Sequence, residues 1–303
     1  MFSQTRNIFS QQRILAATST AACLVFNNRY TRCKEKEPQP SPVKKEEMFF
    51  DYCPKSQMHQ PNLPYPAWDN DWDGKESQKV KGGVTKHYIL IRHGQYDETF
   101  KQDEKRKLTA LGRRQADLTG ERIKEMMQGI DPLFKAMPVA TLFVSNMTRA
   151  KETAEIIASH LPDYVERADP DPLLNEGIPA QIIPSRPELD IEDDLKKNGP
   201  RIEEAFQKYF SRSTDEVSTK DHPNRHDKHE VEIIVCHGNV IRYFFCRALQ
   251  LPPEAWLRMS TYNCSLTYIV VRPNGKVSAR MMGDIGHLGY EHSTFSMNHG
   301  FVP

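Results

Sequence analysis

Short runs of apolar residues recur along the last two thirds of the chain and predict the strands of a sheet. Five such runs span residues 88–93, 141–145, 231–236, 266–271 and 277–281. Between them, apolar residues recur every three or four positions, which is the spacing of an amphipathic helix. Such stripes follow Thr109 and Asn146, which we expect to cap their helices, and recur in 202–210 and 239–249.

The alternation of strands with helices predicts the fold class. Strands that are separated by helices indicate an α/β fold with a largely parallel sheet. We therefore expect a three-layer sandwich, in which a mostly parallel central sheet carries helices on both faces. The last two strands are close in sequence, and the turn Pro273-Asn274-Gly275 between them predicts a hairpin.

The first 34 residues differ in composition from the rest of the chain. Residues 1–34 contain arginines and a lysine but no acidic residue, which is typical of a mitochondrial targeting segment. Their uncharged stretch, 14–26, would span about 20 Å as a helix, short of the roughly 30 Å hydrocarbon core of a bilayer. Flanking Arg13 and Arg29 can reach the head groups. A signal-anchor in a mitochondrial membrane, the outer in preference to the inner, is one interpretation, and a cleaved presequence is the other.

Residues 35–84 are rich in lysine, glutamate and proline, which predicts an extended tether. The tether contains the repeat Trp68-Asp69-Asn70-Asp71-Trp72-Asp73. Exposed tryptophans are costly on a flexible segment, so we expect both to dock. They would pack on the parent domain, or on a neighbouring subunit. In the second case the oligomerisation motif consists of Trp68, Asp69, Trp72 and Asp73. The globular remainder, 85–303, is the predicted catalytic domain.

Charge and cysteine usage exclude several classes of function. The chain has 41 lysines and arginines against 40 acidic residues, which gives no basic excess for nucleic acid. None of its six cysteines forms a Cys-x-x-Cys pair, which argues against a zinc site or thioredoxin-like chemistry. His222, His226 and His229 indicate either a metal site or a solvated loop, and their polar neighbours favour the loop. We predict no metal and no cofactor.

Two of the predicted strands end in a histidine that a glycine follows. His93 comes after Arg92 at the end of the first strand, and His237 ends the third. Because ligands bind beyond the carboxyl ends of parallel strands, we expect both histidines in one crevice. Arg149 lies in the first turn of a predicted helix, where backbone N–H groups and the helix dipole favour an anion. Two arginines and two histidines predict a phosphate pocket, because an arginine fork matches phosphate geometry.

Phosphoryl transfer from an ester also needs an acid that protonates the leaving oxygen. The candidate is Glu176, because the apolar residues that flank it in 173–178 anchor its loop. Asp169 and Asp171 compete for this role, but each precedes a proline in a solvated stretch. Glu176 is therefore the predicted acid, and His93 is the predicted nucleophile.

These residues together resemble the histidine phosphatase superfamily, in its phosphoglycerate mutase-like branch. The motifs that carry the resemblance are Leu90-Ile91-Arg92-His93-Gly94, Leu108-Thr109-Ala110-Leu111-Gly112-Arg113-Arg114-Gln115-Ala116, Ser145-Asn146-Met147-Thr148-Arg149-Ala150-Lys151-Glu152-Thr153-Ala154, Leu174-Asn175-Glu176-Gly177 and Cys236-His237-Gly238-Asn239. The resemblance implies that His93 becomes a phosphohistidine. It implies that Arg92, Arg149 and His237 bind the phosphoryl oxygens, and that Glu176 acts first as acid and then as base.

Within the superfamily, the basic amino terminus, the tether and the Trp-Asp repeat resemble the mitochondrial serine/threonine protein phosphatases. This resemblance implies phosphoprotein substrates, with protein phosphohistidine as a further candidate, a homo-oligomer built through the repeat, and a membrane tether. Asp71 stands where the resembled repeat has asparagine. A small-molecule phosphatase, a phosphoglycerate mutase-type enzyme and a mitochondrial scaffold are the alternatives. Gly177-Ile178-Pro179 replaces the longer mutase motif after the glutamate, which favours hydrolysis.

Overall fold

The computed structural model describes residues 68–76, 83–129, 140–187, 189–213 and 229–295. The predicted targeting segment 1–34, most of the tether, and His222 and His226 lie outside the described residues. In the part of the chain that is described, no helix combines the length and the apolar character that a membrane crossing requires.

The described strands form a six-stranded sheet. They are β1 (Thr85–Arg92), β2 (Ala140–Val144), β3 (Glu166–Arg167), β4 (His229–Cys236), β5 (Leu266–Val271) and β6 (Val277–Asp284). Their order is β3-β2-β4-β1-β5-β6. The pairings of β2 with β3, β2 with β4 and β1 with β4 are parallel, whereas β5 runs antiparallel to both β1 and β6. The predicted hairpin is present, and the sheet is mixed, with its parallel part built from the first four strands.

Helices cover both faces of this sheet. They are α1 (Ala110–Gln128), α2 (Thr148–Ala158), α3 (Glu192–Tyr209) and α4 (Gly238–Ala248). The side chains of β1 alternate between two cores, as a strand requires. Ile89 and Ile91 pack in the cluster under α1 and α2, whereas Tyr88 and Leu90 pack in the cluster under α3 and α4. The predicted three-layer α/β architecture is confirmed.

The starts of α1 and α2 are stabilised in different ways. Thr109 caps α1 as predicted, because its hydroxyl accepts a backbone N–H of the first turn at 3.0 Å. The prediction that Asn146 caps α2 is wrong, since the N-cap position is Met147. A carboxylate from elsewhere in the chain replaces it: Asp103 accepts the backbone N–H of Thr148 at 2.8 Å and its hydroxyl at 2.9 Å. A negative charge at this end also complements the helix dipole.

Two strands begin before their predicted starts, and a third strand was not predicted. β1 and β4 begin at Thr85 and His229, which face each other in the parallel ladder. The prediction of a solvated loop is therefore wrong at His229, whose Nδ1 lies 2.7 Å from Nε2 of the buried His87. Polar residues dominate the first positions of both strands, so the apolar run that predicted each strand begins later in the sequence than the strand itself. β3 consists of only two exposed residues and carries no apolar signal.

The second Trp-Asp pair of the repeat docks on its own domain. Trp72 donates from Nε1 to the carbonyl of Gly275 at 2.9 Å, and its ring lies 6.2 Å from that of Phe206. The Asp73 carboxylate forms an ion pair with Arg212 at 2.6 Å, with both side chains buried. These contacts are those of the fold-back alternative, and oligomerisation through the repeat stays a prediction.

Candidate active site

The carboxyl ends of the parallel strands bring the predicted site residues together. Arg92 of β1 pairs with Cys236 of β4, so the next residues, His93 and His237, emerge side by side. Their imidazole centroids are 5.1 Å apart. A cavity of about 260 Å³ opens at this edge of the sheet. Its walls include Arg92, His93, Arg149 and Glu176, whereas His237 is fully buried beside His93.

One hydrogen bond sets the tautomer of His93. Its Nδ1 lies 2.9 Å from the carbonyl oxygen of Gly94, which can only accept, so Nδ1 carries the proton and Nε2 the lone pair. Arg149 Nε donates to that Nε2 at 3.2 Å. Burial lowers the pKa of His93 well below its usual value, and the guanidinium groups of Arg149 and Arg92 lower it further. The ring is therefore a neutral imidazole whose Nε2 can attack.

Arg149 is held beside this nitrogen from two sides. Its guanidinium lies 4.8 Å from the ring centroid of Tyr96 and 3.4 Å from the Asp103 carboxylate. Asp103 is also the group that caps α2, so one carboxylate fixes both the helix and the arginine that its first turn carries. The buried guanidinium of Arg149 thus reaches the cavity as a fixed donor next to the attacking atom.

Arg92 approaches the cavity from the end of β1. Its Nη1 donates to the carbonyl of Thr261 at 2.7 Å, whereas its buried Nε has no hydrogen-bond partner in the described part of the chain. Burial lowers the pKa of Arg92, and the Glu176 carboxylate opposes that effect. A guanidinium with donor capacity to spare at the cavity wall suits a phosphoryl oxygen.

His237 is oriented by a chain of hydrogen bonds. Ser145 Oγ donates to Asn175 Oδ1 at 2.8 Å, and His237 Nε2 lies 2.8 Å from the same hydroxyl. Since the hydroxyl proton goes to the amide oxygen, Nε2 of His237 is the donor to Ser145. Nδ1 of His237 is buried and has no partner among the described residues. Burial lowers the pKa of His237 well below its usual value, and the charge of Arg149 adds to this effect.

Glu176 stands on a loop that Arg201 of α3 holds in place. The Arg201 guanidinium donates to the carbonyls of Leu173 at 2.6 Å and Glu176 at 3.2 Å. The residue after Glu176 must be small, because a Cβ at Gly177 would lie 2.5 Å from the side chain of Asn198. Glu176 therefore lines the cavity on an anchored backbone.

Further residues line the cavity to which the sequence assigned no role, and four of them are polar or charged neighbours of the arginines and of Glu176's loop. These four are Tyr96, Arg106, Asn239 and Arg242. Tyr96 lies between two arginines, with Arg106 at 4.9 Å from its ring centroid. Both residues belong to a segment whose polarity indicated only a loop. Arg242 interrupts the apolar stripe of α4 one turn after Asn239, and that interruption was the signal in the sequence.

Across the described ranges, no three histidine, cysteine, aspartate or glutamate side chains lie close enough together to hold a metal ion. His229 of the predicted histidine cluster contacts His87 instead. The cavity and the buried His237 beside it combine two imidazoles, several guanidinium groups and the carboxylates of Glu176 and Asp194.

Comparison with known proteins identifies the class of this site. The family model of the histidine phosphatase superfamily (branch 1) matches residues 88–283. The chain belongs to the histidine phosphatase superfamily, which confirms the resemblance inferred from its motifs.

Curated relatives narrow the resemblance. The mitochondrial serine/threonine-protein phosphatase PGAM5 of Xenopus laevis is 40% identical over 246 residues, covering 74% of this chain and 82% of that protein. Its namesake from Caenorhabditis elegans is 40% identical over 252 residues, covering 75% of this chain and 80% of the relative. Among solved structures, a phosphoglycerate mutase from Plasmodium falciparum is 36% identical, with 71% of this chain and 100% of that chain covered and a TM-score of 0.44.

Proposed function

We propose that this protein is a metal-independent serine/threonine protein phosphatase that works through a phosphohistidine on His93. The observation that carries the proposal is the neutral His93, whose Nε2 lies 3.2 Å from a guanidinium nitrogen of Arg149 at the wall of a cationic cavity. The names of the curated relatives support the substrate class. Protein phosphohistidine is a second substrate that the same nucleophile would accept.

The first half of the reaction moves the phosphoryl group to the enzyme. Nε2 of His93 forms a bond to phosphorus as the bond from phosphorus to the seryl or threonyl oxygen breaks. Protonated Glu176 gives its proton to that departing oxygen. Arg92 and Arg149 neutralise the charge that spreads over the phosphoryl oxygens in the transition state.

The second half returns the enzyme to its starting state. The Glu176 carboxylate takes a proton from water, and the resulting nucleophile attacks the phosphohistidine. The bond between phosphorus and Nε2 breaks, so inorganic phosphate leaves and His93 is neutral again. In the neutral tautomer described above, the unpartnered Nδ1 of His237 carries a lone pair, so it can accept a hydrogen bond from a protonated phosphoryl oxygen.

We also propose that the amino-terminal segment, 1–34, tethers the enzyme to a mitochondrial membrane, the outer one in preference to the inner. The basic, acid-free composition of the segment and the mitochondrial names of the relatives support this. Homo-oligomerisation through Trp68, Asp69, Trp72 and Asp73 is a further part of the proposal. Trp68 is 37% exposed on the docked segment and is available to a second copy.

The substrate class is tested with purified enzyme and two substrates, a phosphoserine peptide and a phosphoglycerate. We expect phosphate release from the peptide with the higher kcat/KM. His93→Ala should abolish it, whereas His292→Ala, which alters a histidine away from the cavity, should retain it. Exclusive activity on phosphoglycerate would favour the small-molecule enzyme. Unchanged phosphate release from His93→Ala would exclude His93 as the nucleophile of either enzyme, whereas a wild-type protein that releases phosphate from neither substrate would favour the scaffold.

A further inference from the structure

Arg242 lies in the active-site wall, and phosphoryl transfer as proposed gives its guanidinium group no role. Arg242 of α4 is only 6% exposed, yet it lines the catalytic cavity. Its Nη1 donates to Asn239 Oδ1 at 3.2 Å, and its buried Nε has no hydrogen-bond partner among the described residues. Burial lowers the pKa of Arg242 to about 10, and the charge of Arg92 contributes, so the group remains cationic at neutral pH.

This buried cation lacks a carboxylate partner of its own in the part of the chain that the structure describes. Two other buried arginines have one: Arg212 pairs with Asp73 at 2.6 Å, and Arg149 contacts Asp103 at 3.4 Å. A desolvated guanidinium without a countercharge is destabilising unless a ligand supplies the anion. Since the transferred phosphoryl group already occupies Arg92 and Arg149, Arg242 is available for a second anionic group.

The position of Arg242 indicates where such a group would come from. A cleft of about 250 Å³ adjoins the catalytic cavity, and Arg242 and Phe295 line both spaces. The remaining wall of the cleft is largely apolar, with Ile182, Ile183, Pro184, Leu257 and Met259. Arg258 fixes that wall by donating to the carbonyl of Ile183 at 3.0 Å.

The cleft has the character of a site for a polypeptide rather than for a small sugar phosphate. Ile183 is 52% exposed at its edge, so an apolar side chain entering the cleft would cover hydrophobic surface. Arg186 and Arg258 also line the cleft, so three arginines, counting Arg242, give it positive charge. An extended chain advances about 3.3 Å per residue, so only residues close to the phosphorylated one can reach Arg242.

We propose that Arg242 determines substrate specificity by binding an anionic side chain within two residues of the phosphorylated serine or threonine. The substrate chain continues from there into the apolar cleft. The anionic group is a carboxylate of aspartate or glutamate, or a second phosphate, because both match the guanidinium fork. This inference rests on the proposed function, since it specifies the sequence that surrounds the phosphorylated residue.

A structural role for Arg242 predicts a different outcome. Arg242 contacts Asn239, whose amide donates to the carbonyl of Gly177 at 3.3 Å, next to Glu176. If Arg242 only positioned that loop, its loss would lower turnover of every substrate by the same factor. A residue that binds the flanking anion changes the ratio between substrates instead. The ratio of kcat/KM between two substrates is measured within one enzyme preparation. A partly inactive variant loses the same fraction of activity on both substrates, so the ratio is unaffected.

The test compares phosphoserine peptides of one length that differ only at the four nearest positions. The reference peptide has alanine at all four positions. In the other peptides one of these alanines is replaced by glutamate, by a second phosphoserine or by lysine. Each replacement is tested in turn on the amino-terminal and on the carboxy-terminal side of the phosphoserine. For the wild-type enzyme we expect kcat/KM to be about tenfold higher with an anionic neighbour than with alanine, and lowest with lysine. The glutamate and phosphoserine arms distinguish the two sources of the anion.

Variants of one helix then assign the preference. Arg242→Gln should bring the ratio of anionic to alanine peptide close to one, and Arg242→Lys should retain part of it. Arg247→Gln is the matched control, because Arg247 lies on α4 but pairs with Glu203 outside the cavity. It should keep the full ratio.

Two results would overturn the inference. A wild-type enzyme without preference among the peptides would do so without any variant, and so would an Arg242→Gln enzyme that slows on all peptides equally. A wild-type enzyme that hydrolyses phosphoglycerate but none of the peptides would instead refute the proposed protein phosphatase, and the inference with it.

Discussion

At His93, a single backbone carbonyl decides which ring nitrogen reacts. Gly94 accepts from Nδ1, and this leaves the lone pair on Nε2, where Arg149 points. A Cβ at Gly94 would lie 2.6 Å from the carbonyl oxygen of Gly112, so only glycine lets α1 approach this closely. The reactive state of the histidine therefore depends on the backbone that follows it as much as on its own side chain.

The depressed pKa of His93 leads to the first prediction. Because burial and two arginines lower that pKa well below 6.5, the ring should stay neutral at about pH 6, with its proton on Nδ1. Histidine-selective ¹⁵N NMR reads tautomer and charge directly, and His93→Gln assigns the signal. An imidazolium pattern at that pH, or a proton on Nε2, would show that Nε2 of His93 does not hold a free lone pair in the resting enzyme.

At the scale of elements, the first turn of α2 positions Arg149 at the cavity. Asp103, which lies outside the helix, caps α2 and contacts the Arg149 guanidinium. We predict that Asp103→Ala lowers the free energy of unfolding by about 1 kcal/mol, because the start of α2 loses its acceptor. It should also lower kcat/KM, since Arg149 loses its anchor. Asn146→Ala is the matched control and should change neither quantity. Equal effects of both substitutions in urea unfolding and in kinetics would contradict this assignment.

The elements also show what the sequence reveals and what it conceals. The strands β1, β2 and β4 each contain a run of mainly apolar residues, so their positions and the convergence of His93 and His237 could be predicted from pattern and topology. The cap of α2 could not be predicted, because Asp103 lies 45 residues from Thr148 and no local sequence spacing links the two residues.

The same reasoning explains the residues that escaped sequence analysis. Tyr96 and Arg106 sit in a loop whose polarity is ordinary for solvent-exposed segments, and only the folded chain packs them against Arg149. Arg242 was visible as a charge inside an apolar stripe, but the stripe does not say that the adjoining surface is a cavity. Contacts between distant segments are what local patterns omit.

At the scale of the whole molecule, the segment around Trp72 fastens the beginning of the described chain to the catalytic domain. Trp72→Ala should lower the free energy of unfolding by about 2 kcal/mol, because a half-buried ring and its hydrogen bond to Gly275 are lost. Trp68→Ala, at a more exposed position, should cost less than about 0.5 kcal/mol.

The dependence of stability on protein concentration distinguishes docking of Trp72 on its own domain from docking on a neighbouring subunit. The fold-back contact is intramolecular, so the stability that Trp72 contributes should not depend on concentration. Thermal unfolding at several protein concentrations measures how stability depends on concentration. Size-exclusion chromatography of Trp68→Ala measures whether the oligomeric state changes. A melting temperature that rises with concentration in the wild type, but not in Trp72→Ala, would place that tryptophan in a neighbouring subunit.

Buried neutral histidines make the whole fold sensitive to acid. Burial lowers the pKa of His87 to about 3 and that of His287 to about 4, against about 6.5 in the unfolded chain. Below pH 6.5 the unfolded chain therefore binds protons that the folded chain does not, so stability falls as pH falls.

Each of these two histidines should remove about 1.4 kcal/mol of stability between neutral pH and about pH 5.5. Urea unfolding followed by tryptophan fluorescence measures the change. His287→Gln should reduce the pH dependence, because it removes one of the groups. A free energy of unfolding that is the same at both pH values would contradict the burial of neutral imidazoles.

The central claim is that His93 carries the phosphoryl group, and rapid quenching during turnover of a phosphoserine peptide tests it most directly. Glu176→Gln, supplied with an aryl phosphate whose leaving group departs without a proton, should accumulate the intermediate, because the water that releases phosphate is no longer activated. Intact-mass and peptide analysis should then locate one phosphoryl group, labile in acid and stable in base, on His93. A phosphoryl group on another residue, or turnover of the wild-type enzyme with no covalent phosphoenzyme at any quench time, would contradict the account.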